Sequence, residues 1–138
     1  AFVKRGLIGF SNTLAIEGAR KGIKVNVIAP VAGSRLTETI LPKDVLEALK
    51  PEFVTPLVVR LCAESSTESG SLFEVGAGWV AKLRWERSQG ACFDPKAELT
   101  AEAIDAAWDR IGDFTGAQHP TTIQDTFGPV FGNLGITP

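Results

Sequence analysis

Residues 4–30 read KRGLIGFSNTLAIEGARKGIKVNVIAP, and this stretch decides the fold. Its first part predicts a helix over Phe2–Arg20, because apolar residues recur there at the spacing of one helical face. Gly22 is placed to end that helix in a left-handed conformation. The apolar run Lys24–Ala29 then predicts a central parallel strand covered on both faces, and Pro30 ends it because proline cannot donate to a sheet ladder. This order of elements favours an α/β fold with a doubly wound sheet.

Composition sets the broad class of the protein. The chain has 138 residues, enough for a domain with a hydrophobic core. Its net charge of −2 argues against nucleic-acid binding, and no apolar run is long enough for a membrane span. Cys62, Cys92 and His119 lack metal-site spacing, so we expect no metal, and Cys62 lies on a helical stripe that predicts a core position. Met is absent and the chain begins within a predicted helix, so we expect a fragment of a longer protein.

The loop after the first strand, Ala32–Thr39, is the first candidate for ligand contacts. In open α/β sheets, ligands bind beyond the carboxyl ends of strands, and this loop leaves such an end. Two helices are predicted next, over Lys43–Lys50 and Phe53–Ala63, and a second strand over Leu72–Val75. The glycines of residues 76–78 permit a bend or a close approach of another backbone.

The remainder of the chain is predicted to be mostly helical. Basic residues beside a tryptophan in Val80–Ser88 leave two interpretations open, a nucleotide-phosphate contact or a solvated edge with a packed indole, and the second is favoured. A linker is predicted over Gly90–Leu99, and Thr100 is the expected N-cap of the helix that follows. A last helix over Thr122–Leu134 is expected to break at Gly128-Pro129.

Several strings of this sequence resemble one enzyme family. They are GLIG (6–9), NTLAIEG (12–18), NVIAP (26–30), AGSRLTET (32–39), EALKPE (47–52), LFEVGAGW (72–79) and LRWER (83–87). Together they resemble the C-terminal half of the short-chain dehydrogenase/reductases, above all the (3R)-hydroxyacyl-CoA dehydrogenase units of the type 2 multifunctional enzymes. The resemblance implies half of a doubly wound Rossmann-type sheet over residues 1–90, followed by a helical C-terminal extension over residues 91–138.

The resemblance also implies a catalytic residue. The family uses a Tyr-x-x-x-Lys pair on one helix face, and Lys4 matches its lysine. The tyrosine would then immediately precede Ala1, and the chain itself contains no Tyr. A lysine one helical turn away lowers the pKa of a tyrosine, which is ordinarily about 10, toward the working range of a general base. In the family the same lysine holds the nicotinamide ribose, so Lys4 is also a cofactor-binding candidate.

Further cofactor contacts are implied in the loop after the first strand. Family members bind the nicotinamide carboxamide there, which implies backbone contacts from Pro30, Val31 and Ala32. Ser34 and Thr37 are the implied hydroxyl contacts. Many relatives have Gly directly after the proline, whereas this chain has Val31. The implied cofactor is NAD, although the residue that distinguishes NAD from NADP would lie upstream.

The activity implied by the resemblance is one step of peroxisomal fatty-acid β-oxidation. A (3R)-3-hydroxyacyl-CoA would be oxidised to the 3-ketoacyl-CoA, with the acyl chain beside Leu41–Leu61 and the enzyme acting as a homodimer. We expect the chain to be inactive alone, without the tyrosine and the glycine-rich loop. Two alternatives remain open at this point: another carbonyl reductase, such as a 3-oxoacyl thioester reductase, and a non-catalytic assembly module that dimerises through Leu72–Trp79.

Overall fold

The computed structural model describes residues 2–33, 42–122 and 124–136. The chain forms two compact units, Ala1–Leu83 and Arg84–Pro138. The elements of the first unit are α1 (Phe2–Gly18), β1 (Val27–Pro30), α2 (Lys43–Ala48), α3 (Thr55–Cys62), β2 (Leu72–Gly76) and β3 (Trp79–Leu83). Those of the second are α4 (Ala101–Ala106), α5 (Trp108–Ile111) and α6 (Gln124–Asn133). The division into domains at residue 90, which rests on the resemblance, stays a prediction.

The sheet of the first unit is mixed and has three strands in the order β1-β2-β3. β1 pairs parallel to β2, with Val27 opposite Leu72 and Pro30 opposite Val75. The α/β class, the two predicted strands and the parallel orientation predicted for the first of them are therefore confirmed. β3 was not predicted, and it pairs antiparallel to β2. The turn between them has positive φ at Ala77 (47°) and Gly78 (82°), as a type I′ hairpin turn requires.

β1 is shorter and more exposed than the sequence predicts. In the described sheet it is an edge strand rather than a central one, and Ala29 and Pro30 are exposed. Pro30 is its last residue, which is compatible with the ladder. The N–H groups of Val27 and Val31 donate toward β2, so by alternation the nitrogen of residue 30 faces away from β2 and no sheet bond is lost.

Polar side chains close the amino edge of the sheet. The Asn26 amide donates to the Glu68 carbonyl at 2.9 Å, and its oxygen accepts from the Ser71 N–H at 3.2 Å. The Glu68 carboxylate accepts from the Ser71 hydroxyl at 2.5 Å and from the Lys82 ammonium at 2.6 Å. Lys82 also lies 5.8 Å from the ring centre of Phe73, its cross-strand partner. These contacts tie the loop before β2 to both neighbouring strands.

The second unit confirms one predicted helix start and corrects two other predictions. The Thr100 hydroxyl accepts from the Ala103 N–H at 3.2 Å, as an N-cap does. The single helix expected after it is interrupted at Ala107, between α4 and α5. The break predicted at Gly128-Pro129 is wrong, because α6 continues through Pro129.

A side-chain hydrogen bond compensates for Pro129 inside α6. Pro129 has no N–H to donate to the Asp125 carbonyl, which is four residues earlier. The Arg87 guanidinium donates to that carbonyl instead, at 3.0 Å, and to the Gln118 side chain at 2.6 Å. The backbones of Arg87 and Gln118 also bond to each other at 2.9 and 2.8 Å. Arg87 therefore joins three segments of the second unit.

Burial is sparse in the described residues. The buried hydrophobic residues are Ala15, Leu49, Val75 and Ala107. Cys62 was predicted in the core, which is wrong, because it is exposed at the end of α3. The stripe of α3 is only partly covered, since Val58 is 39% exposed. Within the described ranges, no helix combines the length and the apolar character needed to cross a bilayer.

Unfolding at acidic pH tests the hydrogen bonds of Glu68 at the amino edge of the sheet. The hydrogen bond from Lys82, and after it the one from Ser71, lowers the pKa of Glu68. A carboxyl with a lowered folded-state pKa stabilises the fold above its unfolded value, about 4.3, and this stabilisation is lost as pH falls through the folded value. We expect Glu68→Gln to reduce the loss of unfolding free energy between about pH 5 and pH 3, measured by urea unfolding. Glu64→Gln, at an exposed position of the same loop, is the control and should keep the wild-type acid dependence.

A double-mutant cycle tests the Arg87 contact. We expect Arg87→Ala to lower the unfolding free energy by about 1–2 kcal/mol. In a Pro129→Ala background the new N–H can bond the Asp125 carbonyl, so the loss should be smaller. Urea unfolding of the wild type, the two single variants and the double variant gives the coupling free energy between residues 87 and 129. Strict additivity would show that Arg87 does not replace the missing helical bond, and Arg84→Ala, at an exposed position, serves as the control.

Candidate functional site

The chain that leaves β1 runs beside the end of β2, at the carboxyl edge of the parallel pair. The Val31 N–H donates to the Val75 carbonyl at 2.8 Å, which extends the ladder one residue beyond β1. A Cβ atom on Gly76 would lie 2.5 Å from the Val31 carbonyl oxygen and 2.9 Å from its Cβ atom. Pro30, Val31 and Ala32, the three predicted backbone contacts, therefore lie together at this edge.

The same segment is held on its far side by Gly33. Its N–H donates to the Leu49 carbonyl at 2.7 Å, at the end of α2. A Cβ atom on Gly33 would lie 3.1 Å from the Leu46 carbonyl oxygen and 3.3 Å from that of Leu49. Ala32 thus lies between two backbone anchors. This closely packed segment lies beyond the carboxyl ends of parallel strands, where α/β sheets bind ligands.

An open groove of about 740 Å³ lies at the turn that follows β2. It is lined by Glu47, Ala48, Lys50, Phe53 and Ala77. Its walls therefore offer one carboxylate, one ammonium group and the phenyl ring of Phe53, which is 42% exposed.

The other predicted site residues are Lys4, Ser34 and Thr37. Lys4 lies in the first turn of α1, and its side chain lies outside the described part of the structure. Ser34 and Thr37 also lie outside the described residues. The roles of all three stay predictions.

The interpretation of Val80–Ser88 as a phosphate contact gains no support. Lys82 is engaged by Glu68 and Phe73, and Arg87 by Gln118 and Asp125. The packed indole of the alternative is also wrong, because Trp85 is 70% exposed. No cluster of three or more His, Cys, Asp or Glu side chains suited to a metal ion occurs among the residues described.

The sequence did not indicate the close contact at Gly33, and it indicated a close approach near Gly76 without identifying the partner residue. The glycines after the second strand indicated a close approach, but not the residue that approaches. Gly33 gave no local signal, because its contacts come from α2 through the folded chain.

Comparison with known proteins shows which enzymes the chain is similar to. No family model matches it. It is 55% identical over 128 residues to the peroxisomal multifunctional enzyme type 2 of Mus musculus. The aligned residues make up 92% of this chain. The solved full-length enzyme of the same name from Drosophila melanogaster superposes with a TM-score of 0.83 at 37% identity, over 95% of this chain. A short chain dehydrogenase from Mycobacterium avium superposes with a TM-score of 0.58 at 27% identity, over 78% of this chain. The chain is similar to enzymes of the short-chain dehydrogenase/reductase family.

The match is to a part of each relative. This chain spans 17% of the mouse protein, 24% of the Drosophila chain and 34% of the Mycobacterium avium chain. Similarity to the short-chain dehydrogenase/reductases implies a nicotinamide cofactor. The carboxyl edge fits such a group, because ligands bind beyond the carboxyl ends of parallel strands, and Gly76 and Gly33 let the chain that leaves β1 pack closely there.

Proposed function

We propose that this chain is part of a longer peroxisomal oxidoreductase, called the parent protein below, which oxidises (3R)-3-hydroxyacyl-CoA to 3-ketoacyl-CoA. The observation that carries the proposal is the 55% identity to the mouse multifunctional enzyme over nearly the whole chain. The position of Pro30–Ala32 at the carboxyl edge of parallel strands supports it, because ligands bind at such edges in α/β sheets.

The proposed cofactor is NAD, which accepts the hydride removed from the substrate. The backbone of Pro30, Val31 and Ala32 would orient the nicotinamide carboxamide, with Ser34 and Thr37 as hydroxyl contacts. Lys4 would hold the ribose hydroxyls and lower the pKa of a tyrosine one helical turn upstream, which removes the hydroxyl proton. The groove beside Lys50 and Phe53 would face the acyl-CoA.

The proposed architecture is a doubly wound Rossmann-type sheet in the parent protein. Within the described sheet β1 is an edge strand, and apolar side chains of α1 remain exposed, with Phe10 at 64% and Ile16 at 63%. Exposed apolar surface of this kind marks a site that another part of a protein covers. The remainder of the parent sheet would continue beyond β1.

Substrate oxidation tests the proposed function. We expect the parent protein to reduce NAD with (3R)-3-hydroxyacyl-CoA and not with the 3S epimer, and the isolated 138-residue chain to show no turnover. Lys4→Ala in the parent should lower kcat/KM at least about a hundredfold, because general base catalysis is lost. Lys21→Ala, at an exposed position after α1, is the control. Full activity of Lys4→Ala would contradict the role of Lys4, and no activity of the parent would contradict the substrate.

The outer strand β3 favours a homodimer. It lies at the other edge of the described sheet, with Trp79 56% and Val80 50% exposed. A second copy would cover this edge and its apolar side chains. We expect the parent protein to sediment as a dimer and Val80→Lys to shift it toward monomer, because a charge opposes pairing at a strand edge. Val59→Lys, which places the same charge on an exposed position of α3, should leave the dimer intact.

A further inference from the structure

The end of β2 meets the chain leaving β1 at one pair of residues, Gly76 and Val31. A Cβ atom at residue 76 would lie 2.5, 2.9 and 3.3 Å from the carbonyl oxygen, the Cβ atom and the carbonyl carbon of Val31. Real Cβ atoms essentially never approach another heavy atom more closely than 3.0 Å. Two of these atoms belong to the backbone, so a side-chain rotation at Val31 would not relieve the contact.

The conformation of the hairpin turn does not explain why residue 76 is a glycine. The residues with positive φ are Ala77 and Gly78, and Gly76 is not among them. Its backbone conformation is one that a residue with a side chain adopts without strain. The requirement at residue 76 is therefore steric, and it comes from Val31 rather than from β2 and β3.

Val31 cannot move away freely. Its N–H is bonded to the Val75 carbonyl at 2.8 Å, and the Gly33 N–H is bonded to the Leu49 carbonyl at 2.7 Å. These two bonds hold the chain on either side of Ala32. A side chain at residue 76 would therefore have to displace the Val31 carbonyl or break one of these bonds.

We propose that Gly76 is a positioning residue for the nicotinamide cofactor, which acts by leaving the space that the Val31–Ala32 backbone occupies. The inference rests on the proposed function, in which that backbone contacts the cofactor. In this chain, the glycine that makes room for the loop is on β2.

Cofactor binding by the parent protein tests this role. We expect Gly76→Ala to raise the Kd for NAD, or for NADP if the protein prefers it, at least about tenfold, because the backbone contacts shift. The KM for hydroxyacyl-CoA should change less than about twofold. Isothermal titration calorimetry with each dinucleotide gives the Kd without turnover.

Gly78→Ala is the matched control. It strains the same hairpin, since Gly78 has φ of +82°, but its Cβ atom would meet only the Phe53 ring, at 3.9 Å. We expect it to lower the melting temperature while the Kd for the dinucleotide stays within about twofold of wild type. An equal rise in Kd for both variants, or none for Gly76→Ala, would overturn the proposal.

A second variant covers a failure of Gly76→Ala to fold. Val31→Gly removes the Cβ contact and gives residue 31 more conformational freedom, so Val31→Gly/Gly76→Ala should fold. The contact with the carbonyl of residue 31 remains, so its Kd for the dinucleotide should still be at least about tenfold above that of Val31→Gly. An equal Kd for the two variants would contradict the inference. If the wild-type parent binds the dinucleotide without oxidising hydroxyacyl-CoA, the proposed substrate fails while the Gly76 comparison still stands.

Discussion

The parallel pairing of β1 with β2 is the constraint on which the rest of the first unit depends. The two strands are separated in sequence by α2 and α3, so their pairing closes a long crossover, at an entropic cost that grows slowly with its length. The ladder runs from the Val27 N–H bonded to Ser71 to the Val31 N–H bonded to Val75, both at 2.8 Å. This register brings Gly76 beside Val31, and the hairpin then places β3 against β2.

The two edges of this sheet differ in chemistry. At the amino edge, the side chains of Asn26 and Glu68 satisfy backbone and charged groups of neighbouring segments. At the carboxyl edge, Gly33 and Gly76 lack side chains and the contacts are made by backbone. The first arrangement resists opening of the sheet, while the second lets backbone segments approach closely at the edge where ligands bind in α/β sheets. Stability and the proposed cofactor contact are therefore assigned to opposite ends of the same two strands.

Some parts of the fold and the site followed from local pattern, and others did not. The helix α1, the left-handed Gly22, the N-cap Thr100 and the parallel orientation of β1 were predictable, because each depends on neighbours in sequence or on a continuous apolar run. β3 was not predictable, because its stability comes from β2. The passage of α6 through Pro129 was missed because the compensating donor, Arg87, lies far away in sequence.

The sequence by itself determined the α/β class, the order of the main elements and the family strings, since these depend on periodicity, turn residues and residue identity at fixed spacing. Tertiary structure alone decided which backbone atoms meet. The steric need for glycine at residue 76 comes from Val31, and the anchor of Gly33 comes from Leu49. A glycine has no side chain to reveal its partner in a sequence, so the reason for it is visible only where the folded chain fills the space around it.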